Sequence, residues 1–202
     1  LHLEALTVTG RTLGEEIERA GEGFAQDVVR ELRAPIYPQG GIAVLRGNLA
    51  PDSAIIKQSA ADPRLMEHEG RAVVFENAED LAQRIDDENL DVRADDVLVL
   101  RNIGPKGAPG MPEAGYLPIP RKLARAGVKD MVRISDGRMS GTAFGTVVLH
   151  VTPEAAVGGP LALVRTGDRI RLSVRRRELS LLVHEDELTR RRTGVADACP
   201  RA

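Results

Sequence analysis

Tryptophan is absent from this chain of 202 residues, and three Phe and two Tyr are its only aromatic side chains. Its core must therefore be built from Val, Leu, Ile and Ala. A single cysteine, Cys199, excludes an internal disulfide and suits a reducing compartment. No charge of either sign dominates: 28 Lys and Arg face 30 Asp and Glu, a formal net charge of −2. Such a surface has no field to attract nucleic acid or an acidic membrane. No apolar run approaches the roughly 18 residues needed to cross a bilayer, and no secretory leader is visible. The cytoplasm is the expected location. Because the first residue is Leu1 rather than Met, the chain is expected to be a piece of a longer protein. With 42% apolar and 29% charged residues, the composition is that of a soluble globular protein of one large or two small domains.

Hydrophobic periodicity divides the chain. Thr12 and Glu15 form a capping-box pattern, after which Leu13, Ile17, Ala20, Phe24, Val28 and Leu32 recur at helical spacing, interrupted by Gly21 and Gly23. The proline- and glycine-rich stretch from Ala34 to Gly41 reads as a connector. Residues 1–35 are thus expected to be a leading helical arm, 36–192 the compact domain, and 193–202 a disordered tail. Within the domain, short apolar runs at Ile42–Leu45, Ala54–Ile56, Ala72–Phe75, Val97–Leu100, Met131–Ile134 and Gly145–Val151 read as strands. Asn77 is placed to cap a helix carrying Leu81 and Ile85, and a second helix is expected from Pro120 to Ala126. Ile170, Leu172 and Val174 alternate with polar residues, as do Leu179, Leu181 and Val183, so a hairpin turning at Arg175–Arg177 is expected. Glu185–Arg192 reads as a short closing helix. The pattern is that of an α/β domain with a parallel portion and an antiparallel, barrel-like portion.

Two glycine-rich loops leave the ends of predicted strands, where α/β proteins place ligands. The first is Gly104-Pro-Lys-Gly-Ala-Pro-Gly-Met-Pro-Glu113 and the second Ser135-Asp-Gly-Arg-Met-Ser-Gly-Thr142. Glu113 reads either as the cap of its own turn or as a ligand for Mg²⁺, which prefers hard oxygen donors and would need further carboxylates. The glycines would also suit a phosphate, but no Gly-Lys-Ser/Thr follows, so this is not a Walker loop. Ser140 is not in a Gly-x-Ser-x-Gly elbow, because Arg138 stands two residues before it. It reads either as a turn cap, together with Ser135 and Asp136, or as a general base whose alkoxide is stabilised by a nearby cation. His68, between Glu67 and Glu69, is expected to be solvated, and His150 to be a satisfied core or edge histidine. The arginine runs 175–177 and 190–192 lack interleaved aromatics and read as a solvated turn and a helix end.

Both loops resemble C-terminal signatures of the dihydroxy-acid/6-phosphogluconate dehydratase family. The stretches Gly41–Asp52 and Val151–Pro160 match the same pattern, so the resemblance spans roughly residues 5–192. The wording from Met131 to Thr146 is similar to that of the pentonate and related sugar-acid dehydratases. The resemblance implies a swivelling β/β/α domain with a barrel-like mixed sheet and flanking helices. The implied reaction removes water from a 2,3-dihydroxy acid to leave a 2-keto-3-deoxy acid. An iron–sulfur cluster would act as Lewis acid on the departing hydroxyl, and Mg²⁺ would hold the substrate. Ser140 would be the base, Glu113 one Mg²⁺ ligand, and Thr142 a substrate contact. The chain departs from the family pattern in having only Cys199 where a cluster needs about three or four thiolates. It also lacks the Asp and modified-Lys metal ligands of the family's N-terminal domain. The implied partners are that cluster-bearing domain, a small hydroxy-acid substrate and further copies in a homo-oligomer, with no nucleic acid and no membrane. The domain alone is expected to be inactive. A non-catalytic binding or regulatory module, and the swivel subunit of an aconitase-type isomerase, remain as alternatives.

Overall fold

Residues 1–21, 23 and 25–198 are described by a computed structural model, whose chain divides into two units, Leu1–Pro38 and Gln39–Ala202. The division falls inside the expected connector, at Pro38 rather than residue 35. In the first unit, helix α1 (Leu13–Ala20) starts at the capping box: Glu15 N donates to Thr12 Oγ1 at 3.2 Å and Thr12 N to the Glu15 carboxylate at 2.7 Å. The helical spacing is not followed further. The helix stops at Gly21, whose φ of 65° lies in the left-handed region that glycine adopts without strain. Val28 and Leu32 are exposed on non-helical backbone, and Phe24 lies outside the described residues.

The second unit is an α/β barrel. Strands β1 (Ile42–Gly47), β2 (Ala50–Lys57), β3 (Glu67–Phe75), β4 (Val97–Leu100), β5 (Arg133–Ser135), β6 (Val147–Thr152), β7 (Arg169–Ser173) and β8 (Glu178–Leu181) close in the order β1-β2-β6-β5-β4-β3-β7-β8. The neighbours β3, β4, β5 and β6 run parallel, whereas β1–β2, β2–β6, β3–β7 and the expected hairpin β7–β8 are antiparallel. Closure comes from one parallel bridge, Arg46 to Glu178, reinforced by the Asn48 side chain. That amide accepts from Leu181 N at 2.7 Å and donates to Leu181 O at 2.9 Å, as a strand residue would. Gly47 permits the approach, since a Cβ there would overlap the Leu179 carbonyl.

β3 begins at Glu67 rather than at Ala72. Its polar start is held by cross-strand partners on β7: Ser173 Oγ donates to Glu67 at 2.7 Å, and Arg171 pairs with Glu69 at 3.2 Å. His68 is partly exposed, as expected for a solvated side chain, but its Nε2 also lies 2.9 Å from the Asp95 carbonyl oxygen.

Alternation along the strands sorts the core into two parts. Val97 and Val99 of β4 point into the barrel with Leu45, Ile56, Ile134, Val148, Ile170 and Leu179. Leu98 and Leu100 point outward to Phe75, Leu81, Ile85 and Met131, beneath helices α2 (Ala78–Arg84) and α3 (Arg121–Arg125). The Asn77 cap forms, its Oδ1 accepting from Asp80 N at 2.9 Å. The last helix, α4 (Glu185–Ala198), runs past Arg192 through residues assigned above to a disordered tail; Thr193 Oγ1 donates to the Arg190 carbonyl at 2.8 Å. Arg191 does not belong to a solvated helix end. It is 9% exposed, paired with Asp168 at 2.5 Å and donating to Leu163 O at 2.9 Å. Among the described residues no helix is long and apolar enough to cross a membrane.

Candidate active-site loops

Because β3 to β6 are parallel, their C-terminal residues Phe75, Leu100, Ser135 and Thr152 lie at one end of the barrel. Both glycine-rich loops start there, and two carboxylates, the buried Asp136 and the partly exposed Glu154, fasten them. Asp136, 2% exposed, accepts from Asn102 N and Ile103 N, each at 3.1 Å, and from Ala155 N at 2.9 Å. Glu154 accepts from Lys106 N at 2.9 Å. Arg138 joins the loops directly: its carbonyl accepts from Gly115 N at 2.8 Å, and its Nε donates to Met111 O at 2.7 Å. Below them, the buried Arg133 pairs with Asp130 at 2.6 Å and donates to the Leu117 carbonyl at 3.1 Å.

Glu113 does not bond to an amide of its own turn among the described residues. One carboxylate oxygen pairs with Arg138 Nη1 at 2.7 Å, with both side chains about half exposed. Ser140 forms a turn in which Ala143 N donates to its carbonyl at 3.0 Å and its Oγ lies 2.9 Å from Thr142 Oγ1. The turn-capping reading thus holds for Ser135, whose Oγ accepts from Gly137 N at 3.0 Å, and for Asp136. Ser140 Oγ also accepts from Thr142 N at 3.4 Å, so it caps its own turn as well as lying beside the Thr142 hydroxyl.

Ser140 lines a cavity of about 150 Å³ with Lys57, Met139, Leu149 and His150. His150 also lines a neighbouring cavity of about 260 Å³ that contains Met111, Asp136 and Glu154. Its backbone has φ 53°, unusual for a residue with a side chain. Burial, and then the positive charge of Arg138, push its pKa below the usual histidine value, so the imidazole is neutral at neutral pH. No hydrogen bond of its ring is made among the described residues, so it is not the satisfied histidine expected above. A separate cavity of about 770 Å³ is lined by Glu76, Arg101, Asn102 and Arg192 and holds neither loop hydroxyl nor Glu113. Its Arg101 is occupied by Glu76 and by the Ala162 carbonyl at 2.7 Å. Of the residues singled out from the sequence, Ser140 and His150 line the smaller cavities, whereas Glu113 lines neither of them.

Sequence reasoning missed the fastening carboxylate Glu154 and the cavity lysine Lys57. Glu154 stood in plain view within the Val151–Pro160 motif; Lys57 carried no local signal.

Residues 27–201 match the family model described as dihydroxy-acid/6-phosphogluconate dehydratase C-terminal. The chain belongs to that family. It is 55% identical over 192 residues to L-arabonate dehydratase of Azospirillum brasilense, covering 95% of this chain and 33% of that protein. It is also 55% identical over 197 residues to 6-deoxy-6-sulfo-D-gluconate dehydratase of Pseudomonas putida, covering 96% of this chain and 34% of that protein. With dihydroxy-acid dehydratase of Nitratidesulfovibrio vulgaris the identity is 47% over 190 residues, covering 93% and 34%. This dehydratase domain thus spans about a third of the length of the curated relatives it matches. Its closed barrel with flanking helices is the α/β architecture expected from the sequence.

Proposed function

We propose that this domain supplies the proton-abstracting side of a hydro-lyase site that converts a 2,3-dihydroxy acid of the sugar-acid class into a 2-keto-3-deoxy acid. The observation that carries the reading is the pairing of hydroxyls at Ser140 and Thr142 beside a cavity, on a loop tied by Arg138 to the loop of Glu113. The higher identity to two sugar-acid dehydratases than to the dihydroxy-acid enzyme supports the sugar-acid choice.

In the proposed reaction the Ser140 alkoxide takes the proton from C2. The electron pair left behind forms the C2–C3 double bond as the C3 hydroxyl departs with the proton now on Ser140, so that water leaves and the alkoxide is restored. The resulting enol transfers its hydroxyl proton through solvent to C3 to become the ketone. Thr142 orients the Ser140 hydroxyl and contacts the substrate. Arg138 sets the position of Glu113. Negative charge develops beside the substrate carboxylate, so the site needs fixed positive charge there.

The donor set tests which groups this chain can hold. Glu113 is a half-exposed hard oxygen donor with one carboxylate oxygen outside the Arg138 pair, which fits a single Mg²⁺ ligand. Among the described residues no group of three or more His, Cys, Asp or Glu is assembled, so the remaining donors would come from the rest of the polypeptide. Bound there, Mg²⁺ would supply Lewis-acid stabilisation of the developing charge. An iron–sulfur cluster does not fit this chain, which has one cysteine, Cys199, and on this reading belongs to a cluster-bearing N-terminal domain. The domain alone is then inactive, and the complete protein would be a homo-oligomer acting on a small hydroxy acid.

In the complete polypeptide, Ser140→Ala should abolish turnover of aldonic acids while folding and iron content stay at wild-type levels. Glu113→Gln should weaken the Mg²⁺ dependence. Wild-type turnover in both variants would leave a binding or regulatory module instead.

A further inference from the structure

The wall of the Ser140 cavity carries one formal charge, that of Lys57, without a carboxylate partner among the described residues. Lys57 sits at the end of β2, half-buried, and its Nζ donates to the Gly141 carbonyl at 2.8 Å. That contact links residues 84 apart in the chain and ends on the peptide between Ser140 and Thr142. Among the described residues no carboxylate pairs with Lys57. The other groups lining the cavity, including Ile42, Ile55, Met139 and Leu149, are apolar or neutral. One further cation and one neutral base lie nearby: Arg138, consumed by Glu113 and Met111, and His150, which is uncharged at neutral pH. An ammonium ion on a four-carbon stem is strongly hydrated, and an unpaired one in a partly apolar wall is costly unless it serves an anion or a fixed dipole.

We infer that Lys57 is a positioning residue for Ser140: it clamps the Ser140–Ala143 turn through the Gly141 carbonyl and sets its positive charge in the wall of the cavity that Ser140 lines. The inference rests on the assignment of Ser140 as base. The clamp fixes the hydroxyl against the substrate, and displacement of a reacting group by about 1 Å costs on the order of a hundredfold in rate. The charge favours the ionised serine without touching the substrate, so its loss falls on kcat rather than on KM.

The test uses the complete polypeptide loaded with its cluster and metal, with Lys57→Met, Lys57→Arg and Ser140→Ala compared on aldonic acids. Lys57→Met should lower kcat about a hundredfold with KM within about twofold, and Lys57→Arg, which keeps donor and charge, should recover most of the loss. Amide hydrogen exchange at residues 140–143 should quicken about tenfold in Lys57→Met and not in Lys57→Arg. Wild-type kcat in Lys57→Met, a rise in KM at constant kcat, or a folded Lys57→Arg as slow as Lys57→Met would each overturn the inference. Failure of the underlying reading looks different. Turnover by Ser140→Ala removes the base itself, whereas an inactive Ser140→Ala beside a fully active Lys57→Met removes only the role of Lys57.

Discussion

Replacing Asp136 by alanine removes the acceptor for three backbone amides that belong to separate segments: Asn102 and Ile103 at the head of the first loop, and Ala155 after β6. Each bond is charge-assisted, and the residue is 2% exposed. A hydrogen bond to a charged group contributes about 1.5–3 kcal/mol, and a buried amide left without a partner costs about 1–3 kcal/mol. The three share one acceptor, so their losses do not simply add; about 3–5 kcal/mol is expected for Asp136→Ala. Asp136→Asn keeps one carbonyl oxygen, which can still serve Asn102 and Ala155, and should lose about 1–3 kcal/mol. At roughly 2–4 °C per kcal/mol for a unit of this size, the alanine variant should unfold about 6–20 °C lower. The assay is thermal unfolding of the complete polypeptide, with amide exchange at residues 102, 103 and 155 as the local readout. Asp52→Ala, an exposed carboxylate, serves as control and should change stability by less than about 0.5 kcal/mol. If Asp136→Ala melts with wild type and the three amides stay protected, the loops are not held by this carboxylate.

The motif glycines should separate by what surrounds them. A Cβ on Gly137 would lie 2.5 Å from Cδ1 of the buried Ile103, so Gly137→Ala should destabilise by about 1–3 kcal/mol. A Cβ on Gly141 meets nothing within 4 Å, so Gly141→Ala should leave the unfolding midpoint unchanged; a lower midpoint would refute that geometry. For His150, NMR titration should give a midpoint below the usual ~6.5, and Arg138→Met should move it only part of the way back, because burial is the larger cause. Since the folded state binds the proton less readily than the unfolded chain, the His150 contribution to stability is present above about pH 6.5 and declines as pH falls through the lower folded value. His150→Gln should flatten that slope, and an unchanged slope would exclude His150 as its source.

What could be read from the sequence follows the reach of each interaction. Thr12 with Glu15 and Asn77 with Asp80 are three residues apart, and both caps form. The hairpin of Ile170 and Leu172 against Leu181 and Leu179 was visible as two alternating runs. The charged start of β3 was not, because Glu67 and Glu69 are stabilised by partners about a hundred residues away on β7. The contact that helps close the expected barrel was equally hidden, since Asn48 does the work of a strand residue from a turn, 133 residues from Leu181. At the site, Ser140 and Glu113 stood out through motif resemblance. The links from Asp136 to Asn102, Glu154 to Lys106 and Lys57 to Gly141 span 34, 48 and 84 residues and leave no local periodicity.

These long links change what the glycine content means. Loops rich in glycine and proline, without helix or ladder, would ordinarily be mobile, because their amides have no regular partners. Here carboxylates take the place of strand carbonyls: Asp136 and Glu154 accept from four loop or loop-flanking residues besides Ile103, namely Asn102, Lys106, Gly107 and Ala155. The glycines then serve proximity more than freedom. Gly104 lacks the side chain that would overlap the Glu154 carboxylate, and Gly137 the one that would strike Ile103. A carboxylate can satisfy several amides only when the backbone carrying them comes within hydrogen-bond distance. Small residues and the acids Asp136 and Glu154 are therefore two halves of one device, which fastens the glycine-rich loops at the end of a parallel sheet. On that account, adding bulk at Gly104 and removing the acid at Glu154 should loosen the same loop.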